Sequence, residues 1–124
     1  MSLIFEEETY KIRNVIFEVY NEVGSGFLEN VYQECMEIEL CKNEIPFESQ
    51  KEINVYYKEQ KLAQIYKADL ICFSNIIIEI KAVRNLLSYH ESQIMNYLKA
   101  TNMKLGLLVN FGGYPKPEIK RVAN

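Results

Sequence analysis

Asp69, Glu79 and Lys81 are charged residues set into two strand-like apolar runs, where a core is expected. The runs are Ala68-Asp69-Leu70-Ile71-Cys72-Phe73 and, after Ser74-Asn75, Ile76-Ile77-Ile78-Glu79-Ile80-Lys81. Glu79 and Lys81 are two apart, so an extended chain points both to one face. Burying such groups is costly unless they are paired or bind a metal. Hard cations such as Mg²⁺ or Mn²⁺ take oxygen ligands, commonly one or two carboxylates with waters and a substrate phosphate. Asp69 and Glu79 supply that pair. A cation held there would polarise a phosphodiester and lower the pKa of a water. Lys81 would stabilise negative charge developing in the transition state. A salt bridge between Lys81 and either carboxylate on an exposed sheet face accounts for the same residues without any chemistry.

Register decides between these readings. A tight two-residue Ser74-Asn75 turn would pair Phe73 with Ile76 and put Asp69 on the face opposite Glu79. A shared site requires a three-residue loop or a bulge, bringing Asp69 against Glu79 or Lys81.

Two further clusters carry polar residues on helical faces. In Gly26-Phe27-Leu28-Glu29-Asn30-Val31-Tyr32, Glu29 falls within the arc of Leu28, Tyr32, Met36 and Leu40 and is expected to aim inward. It is a candidate third acid, or simply a first-turn carboxylate favoured by the helix dipole. Glu39 lies in the same arc without an evident role. In His90-Glu91-Ser92-Gln93-Ile94-Met95-Asn96-Tyr97, the spacing puts His90, Gln93 and Tyr97 on one face. Gln93 is a candidate for positioning a water or a phosphate oxygen. Tyr97 and Arg84 are candidate substrate contacts. His90 reads as a satisfied histidine at the core edge and not as a metal ligand. No nucleophilic Ser/His/Asp or Cys/His arrangement and no phosphate-cradling glycine loop is evident.

The elements that must position these residues follow from periodicity. Ile12, Val15, Ile16, Val19, Tyr20 and Val23 predict an amphipathic helix over 6–23, stopped by Gly24-Ser25-Gly26. A second helix is expected over 27–43, then strands near 52–57, 62–73 and 76–82 with a polar turn at 58–61. A third helix (86–100), a buried-type strand (105–111) and a short edge strand (118–122) complete the order ααβββαβ(β). Apolar residues on both faces of 76–80 mark a central strand covered on both sides. The fold class is α/β or α+β with a mixed sheet.

At 124 residues the chain suits one domain, 1–124. No apolar stretch is long enough to span a bilayer, and the acidic start lacks the basic region of a signal peptide. Three cysteines without metal-ligand spacing fit a reducing cytoplasm. The net charge of −3 argues against a general nucleic-acid glue. Its distribution is uneven: residues 1–50 hold three basic and eleven acidic side chains, the remainder eleven basic and six acidic. A phosphate-contacting surface should therefore come from the second half, unless the imbalance only reflects acidic helices preceding Lys-rich strands.

Together the clusters resemble the GxxExxY family of the PD-(D/E)XK nuclease-like superfamily. Gly26, Glu29 and Tyr32 match the naming motif, and Asp69, Glu79 and Lys81 match the superfamily's D…ExK core. Gln93 and Tyr97 match the Gln-x₃-Tyr element of exonuclease-type members, and Asn110-Phe111-Gly112 resembles the family's ending. The resemblance runs from the first helix to about Gly113. Asp69 follows Ala68 where the superfamily name has proline, which leaves the role of Asp69 intact. The resemblance implies a restriction-endonuclease-like αβββαβ core with Asp69 and Glu79 as metal ligands. It implies Glu29 as an added acidic ligand or metal-water partner and Lys81 as the catalytic lysine. It further implies nucleic acid as partner, with DNA the expected polymer, and a homodimer or other partner to add grip to so small a chain. The competing expectations are a nuclease-like module that binds or regulates without turnover, and an unrelated α/β unit with a structural Asp–Lys pair.

Overall fold

The computed structural model describes residues 4–124, so Met1–Leu3 at the acidic start lie outside the described residues. The elements are α1 (Glu6–Val23), α2 (Glu29–Lys42), β1 (Phe47–Tyr57), β2 (Gln60–Cys72), β3 (Ile76–Lys81), α3 (Ser88–Thr101), β4 (Leu105–Asn110) and β5 (Glu118–Ala123). The five strands form one sheet in the order β1-β2-β3-β4-β5. Only β3 and β4 run parallel, joined by α3; the other neighbours are antiparallel. No helix among the described residues is long and apolar enough to cross a membrane.

Both faces of β3 are covered, as its apolar run requires. Ile76, Ile78 and Ile80 pack with Ile12, Ile16, Tyr32, Met36 and Leu40 of α1 and α2. Ile77, on the other face, packs with Ile94 and Leu98 of α3. Each fully buried Ile or Leu contributes roughly 2 kcal/mol of burial free energy, so this triple layer fixes β3 as the rigid centre of the sheet. Gly106 keeps α3 close, since a Cβ there would lie 2.6 Å from Ile94 Cδ1.

Two boundaries differ from the sequence expectation in ways that matter. β1 begins at Phe47, five residues early, because an edge strand exposed on both faces shows no apolar alternation. The turn before β2 is the two-residue Lys58-Glu59, both at positive φ, the geometry that matches the twist of a hairpin. The connection before β3 has three residues, Phe73-Ser74-Asn75. Phe73 and Ser74 take positive φ, and Asn75 N–H donates to Cys72 O at 3.1 Å.

Candidate active site

The three-residue connection sets the register of the β2–β3 hairpin. Cys72 pairs with Ile76, Ile71 with Ile77 and Leu70 with Ile78. One further step sets Asp69 against Glu79, and there the backbone ladder gives way. Asp69 Oδ2 accepts the Ile80 N–H at 2.8 Å, in place of a carbonyl. The Asp69 carbonyl instead accepts from Gln33 Nε2 of α2 at 2.9 Å. β1 bends at the same level, where Gln50 has φ 50°. The side-chain alternation of β2 slips here too. Leu70 and Cys72 face α1 and α2, whereas Ala68 and Tyr66 face α3. The kink turns Asp69 out of the ladder and places it between the two layers.

Around Asp69 two environments meet. On one side a cleft of about 410 Å³ is lined by Glu29, Asn30, Gln33, Gln50, Asp69 and Ile80. On the other side lies Glu79, which accepts a short hydrogen bond from the Tyr66 hydroxyl. Burial first, and then the neighbouring Asp69 carboxylate, push the Glu79 carboxyl up to about 8; the Tyr66 hydrogen bond and Lys81 oppose that rise. Burial and the Glu79 charge also push the Tyr66 phenol upward, so its hydroxyl stays a donor. Lys81 is half-buried, on the same strand face as Glu79 two residues away, and forms no ion pair among the described residues. The separate Asp–Lys bridge allowed by the sequence is thus not what these residues make.

Glu29 departs from its expected orientation. It is exposed, because α2 starts at Glu29 itself and its buried face begins only at Tyr32. The inward aim read from the helical arc is therefore corrected, since that arc assumed a helix already under way at residue 27. Glu29 shares the cleft with Asp69 but does not join Glu79. Among the described residues no three His, Cys, Asp or Glu side chains come together as a metal-binding group.

The α3 residues do not act as one face. His90 is buried, its Nδ1 accepting the Leu87 N–H at 3.0 Å, which ties down the start of α3. Gln93 is exposed. Tyr97 stacks on Tyr66 at 3.5 Å and 11° and so reaches Glu79 only through that ring. Arg84 is exposed in the stretch following β3.

Two motifs at opposite ends of the chain meet behind the site. Buried Tyr32 donates to Gly24 O at 2.6 Å and accepts the Phe27 N–H at 3.2 Å, clasping the loop that leads into Glu29. Gly26 in that loop has φ 111°, which favours glycine. The Tyr32 ring stacks on Phe111 at 4.4 Å and 2°. Phe111 in turn donates its N–H to the Lys81 carbonyl at 2.9 Å. Asn110 brackets the next segment, accepting from Val83 N–H at 2.9 Å and donating to Val83 O at 2.8 Å.

Gly112 permits this approach, because a Cβ there would lie 2.1 Å from the Val83 carbonyl oxygen. Gly112→Ala is therefore expected to destabilise the fold by about 2–3 kcal/mol through forced backbone movement. A urea melt with an unchanged midpoint would overturn that expectation.

Gln33, Tyr66 and Asn110 hold the site residues in place; sequence reasoning missed Gln33 and Tyr66, and marked Asn110 only as part of the resemblance to the family's ending. A signal existed for Gln33, which is i+4 from Glu29 on the same helix face.

The sequence profile of the PD-(D/E)XK nuclease superfamily matches residues 6–122. The chain belongs to the PD-(D/E)XK nuclease superfamily. Its five-stranded mixed sheet with flanking helices is the restriction-endonuclease-like α/β fold that membership entails. Membership also sets aside the reading as an unrelated α/β unit. Among solved structures the chain is similar to the crystal structure of SSO0001, at a TM-score of 0.61 and 19% identity. The match covers 97% of this chain and 60% of that one, so this chain spans less than two thirds of the chain in that structure. At that identity the likeness speaks to the fold alone. None of the curated proteins matches the chain.

Proposed function

We propose that this PD-(D/E)XK domain, spanning 1–124, is a divalent-metal-dependent nuclease hydrolysing phosphodiester bonds. The observation that carries the reading is the meeting of the Asp69 and Glu79 carboxylates beside Lys81 at the end of the β2–β3 ladder. Two facing carboxylates, one pushed up to about 8 by burial and by its neighbour, suit a hard cation better than they suit each other. Asp69 and Glu79 would hold Mg²⁺ or Mn²⁺, which when bound supplies Lewis-acid polarisation of the phosphodiester and activation of water. Lys81 would face the charge that develops on the phosphoryl oxygens. Glu29, across the cleft from Asp69, would accept a hydrogen bond from a water of the cation and so add to its binding. Gln93, exposed on α3, would reach substrate only from outside the cleft, and Tyr97 would support Tyr66. Gly26, Glu29 and Tyr32 favour the GxxExxY family within the superfamily. The Tyr32 clasp gives that spacing a physical reason, since it sets the loop that leads into Glu29 at the start of α2.

The Tyr66 hydroxyl on Glu79 favours a second reading, a module that binds nucleic acid without turnover. It engages one of the two Glu79 carboxylate oxygens that a metal could use.

Titration with Mg²⁺ or Mn²⁺ discriminates. Saturation to a hundredfold of Kd should stabilise the folded protein by about 2.7 kcal/mol. Glu29→Gln should reduce the rise in Tm, and Asp69→Asn should abolish it together with cleavage of labelled DNA or RNA. A metal-dependent shift in Tm with no cleavage of any substrate would select the second reading. No shift in the wild type would sink the metal site.

A further inference from the structure

A groove of about 530 Å³ lies beyond the ends of β3 and β4, separate from the carboxylates. Arg13, Phe17, Arg84, Tyr114, Lys116 and Lys120 line it. Its one carboxylate, Glu118, is engaged from within by Asn110 Nδ2 at 2.8 Å. Lys120 is paired with Glu91 at 3.4 Å, whereas Arg13, Arg84 and Lys116 make no ion pair among the described residues. The groove is thus strongly basic on a chain whose net charge is −3. Arg84 is three residues past Lys81, so the groove continues from the end of the strand that carries the candidate catalytic lysine.

The aromatic lining is as telling as the charge. Tyr114 is 87% exposed, the most exposed of the large apolar side chains among the described residues, and Phe17 is 38% exposed. Tyr114 does not sit on a slack loop. The preceding carbonyl, Gly113 O, accepts from the Tyr20 hydroxyl at 2.7 Å, and Pro117 is buried. A Cβ on Gly113 would lie 2.7 Å from Lys116 O, so the turn is closed tightly on itself. A ring held out into water beside unpaired cations loses little entropy when a flat apolar partner covers it.

We propose that this groove binds single-stranded nucleic acid, with phosphates on Arg13, Arg84 and Lys116 and a base stacked on Tyr114. The proposal rests on the nucleic-acid reading above and names the form of the substrate. Unpaired bases offer a π-face to a tyrosine ring, whereas a duplex keeps those faces in its own stack. Cations spaced along a groove follow the backbone without reading sequence. The groove supplies, within one copy of the chain, the grip for which the sequence pointed to a second copy.

Binding of a short labelled oligothymidylate by the full chain in EDTA, followed by fluorescence anisotropy, tests this apart from catalysis. Tyr114→Ala should weaken binding about 10-fold and Tyr114→Phe should restore it, since stacking needs the ring and not the hydroxyl. Arg84→Ala and Lys116→Ala should each weaken binding and lower the salt slope by about 0.7, the loss of one phosphate contact. A duplex of the same length should bind more weakly. No binding, equal binding by Tyr114→Ala, or tighter binding of duplex would each overturn the proposal. Metal-dependent cleavage with Tyr114→Ala kinetics unchanged at low substrate would fail the groove and keep the nuclease reading. Tyr114-dependent binding without any response to metal would do the reverse.

Discussion

Lys81→Ala is expected to lower metal-dependent cleavage by about 10²–10³ while leaving Mn²⁺ binding in place, since that is the usual cost of one preorganised electrostatic donor. The lysine is well placed for such a role. Its strand lies at the centre of the sheet and is covered on both faces, its own carbonyl is held by Phe111 N–H, and the segment beyond it is clamped by Asn110. Little reorganisation would be needed at the moment of reaction. The ammonium also favours the ionised form of Glu79. Its removal should therefore raise the pH at which Glu79 releases its proton and shift metal binding in the same direction, without abolishing it. Asp69→Asn differs in kind, because it takes away a ligand and should lose metal binding and cleavage together. Fragment release from labelled DNA and RNA, read beside metal-induced changes in Tm, separates the two variants. Cleavage that persists in Lys81→Ala would assign the activity to another site or to a contaminant.

How much of this was legible in the sequence depends on which physics governed each residue. The run Ile76–Ile80 announced a central strand, because apolar residues at consecutive positions such as Ile76, Ile77 and Ile78 require a strand covered on both faces. The pairing of Asp69 with Glu79 hung on one residue of loop length. Phe73 and Ser74 enter positive φ without the glycine or asparagine that would have signalled it, so the sequence could pose the register question but not answer it. The slip in β2 at Asp69 left no trace in composition, since Ala68 and Leu70 are apolar on either side of it. Glu29 was misjudged in orientation because a helical arc says nothing about where the helix begins. Tyr66 was invisible as a partner of Glu79 because their contact crosses strands and depends on that same slip. Tyr32, Asn110 and Phe111 stood out as parts of motifs. That they meet behind Lys81, and so hold the lysine and Glu29 through one stack, needed the fold.

Without divalent metal, the protein is expected to lose stability as pH rises from about 5 to about 9, and Glu79→Gln to remove most of that slope. In the folded chain the Glu79 carboxyl sits at about 8, against an ordinary value of 4.5. Between those values the folded state holds a proton that the unfolded state has released, so each step up in pH favours unfolding. Below about 4.5 both states are protonated and the penalty vanishes; above about 8 it is present in full. Burial is the main cause, with Asp69 the second, and the Tyr66 hydrogen bond offsets only part of the cost. Glutamine keeps an oxygen for Tyr66 and carries no charge. The variant should therefore melt roughly 10 °C above the wild type at pH 9 and close to it at pH 5, as a difference of a few kcal/mol in a domain of this size implies. Saturating Mg²⁺ should flatten the wild-type profile and leave the variant's almost unmoved, because a bound cation stabilises the same ionised pair that costs the metal-free protein. The measurement is Tm against pH for both proteins, with EDTA and with Mg²⁺. Parallel profiles in EDTA would mean that Glu79 is not the strained carboxylate and would remove the electrostatic reason for a cation between it and Asp69.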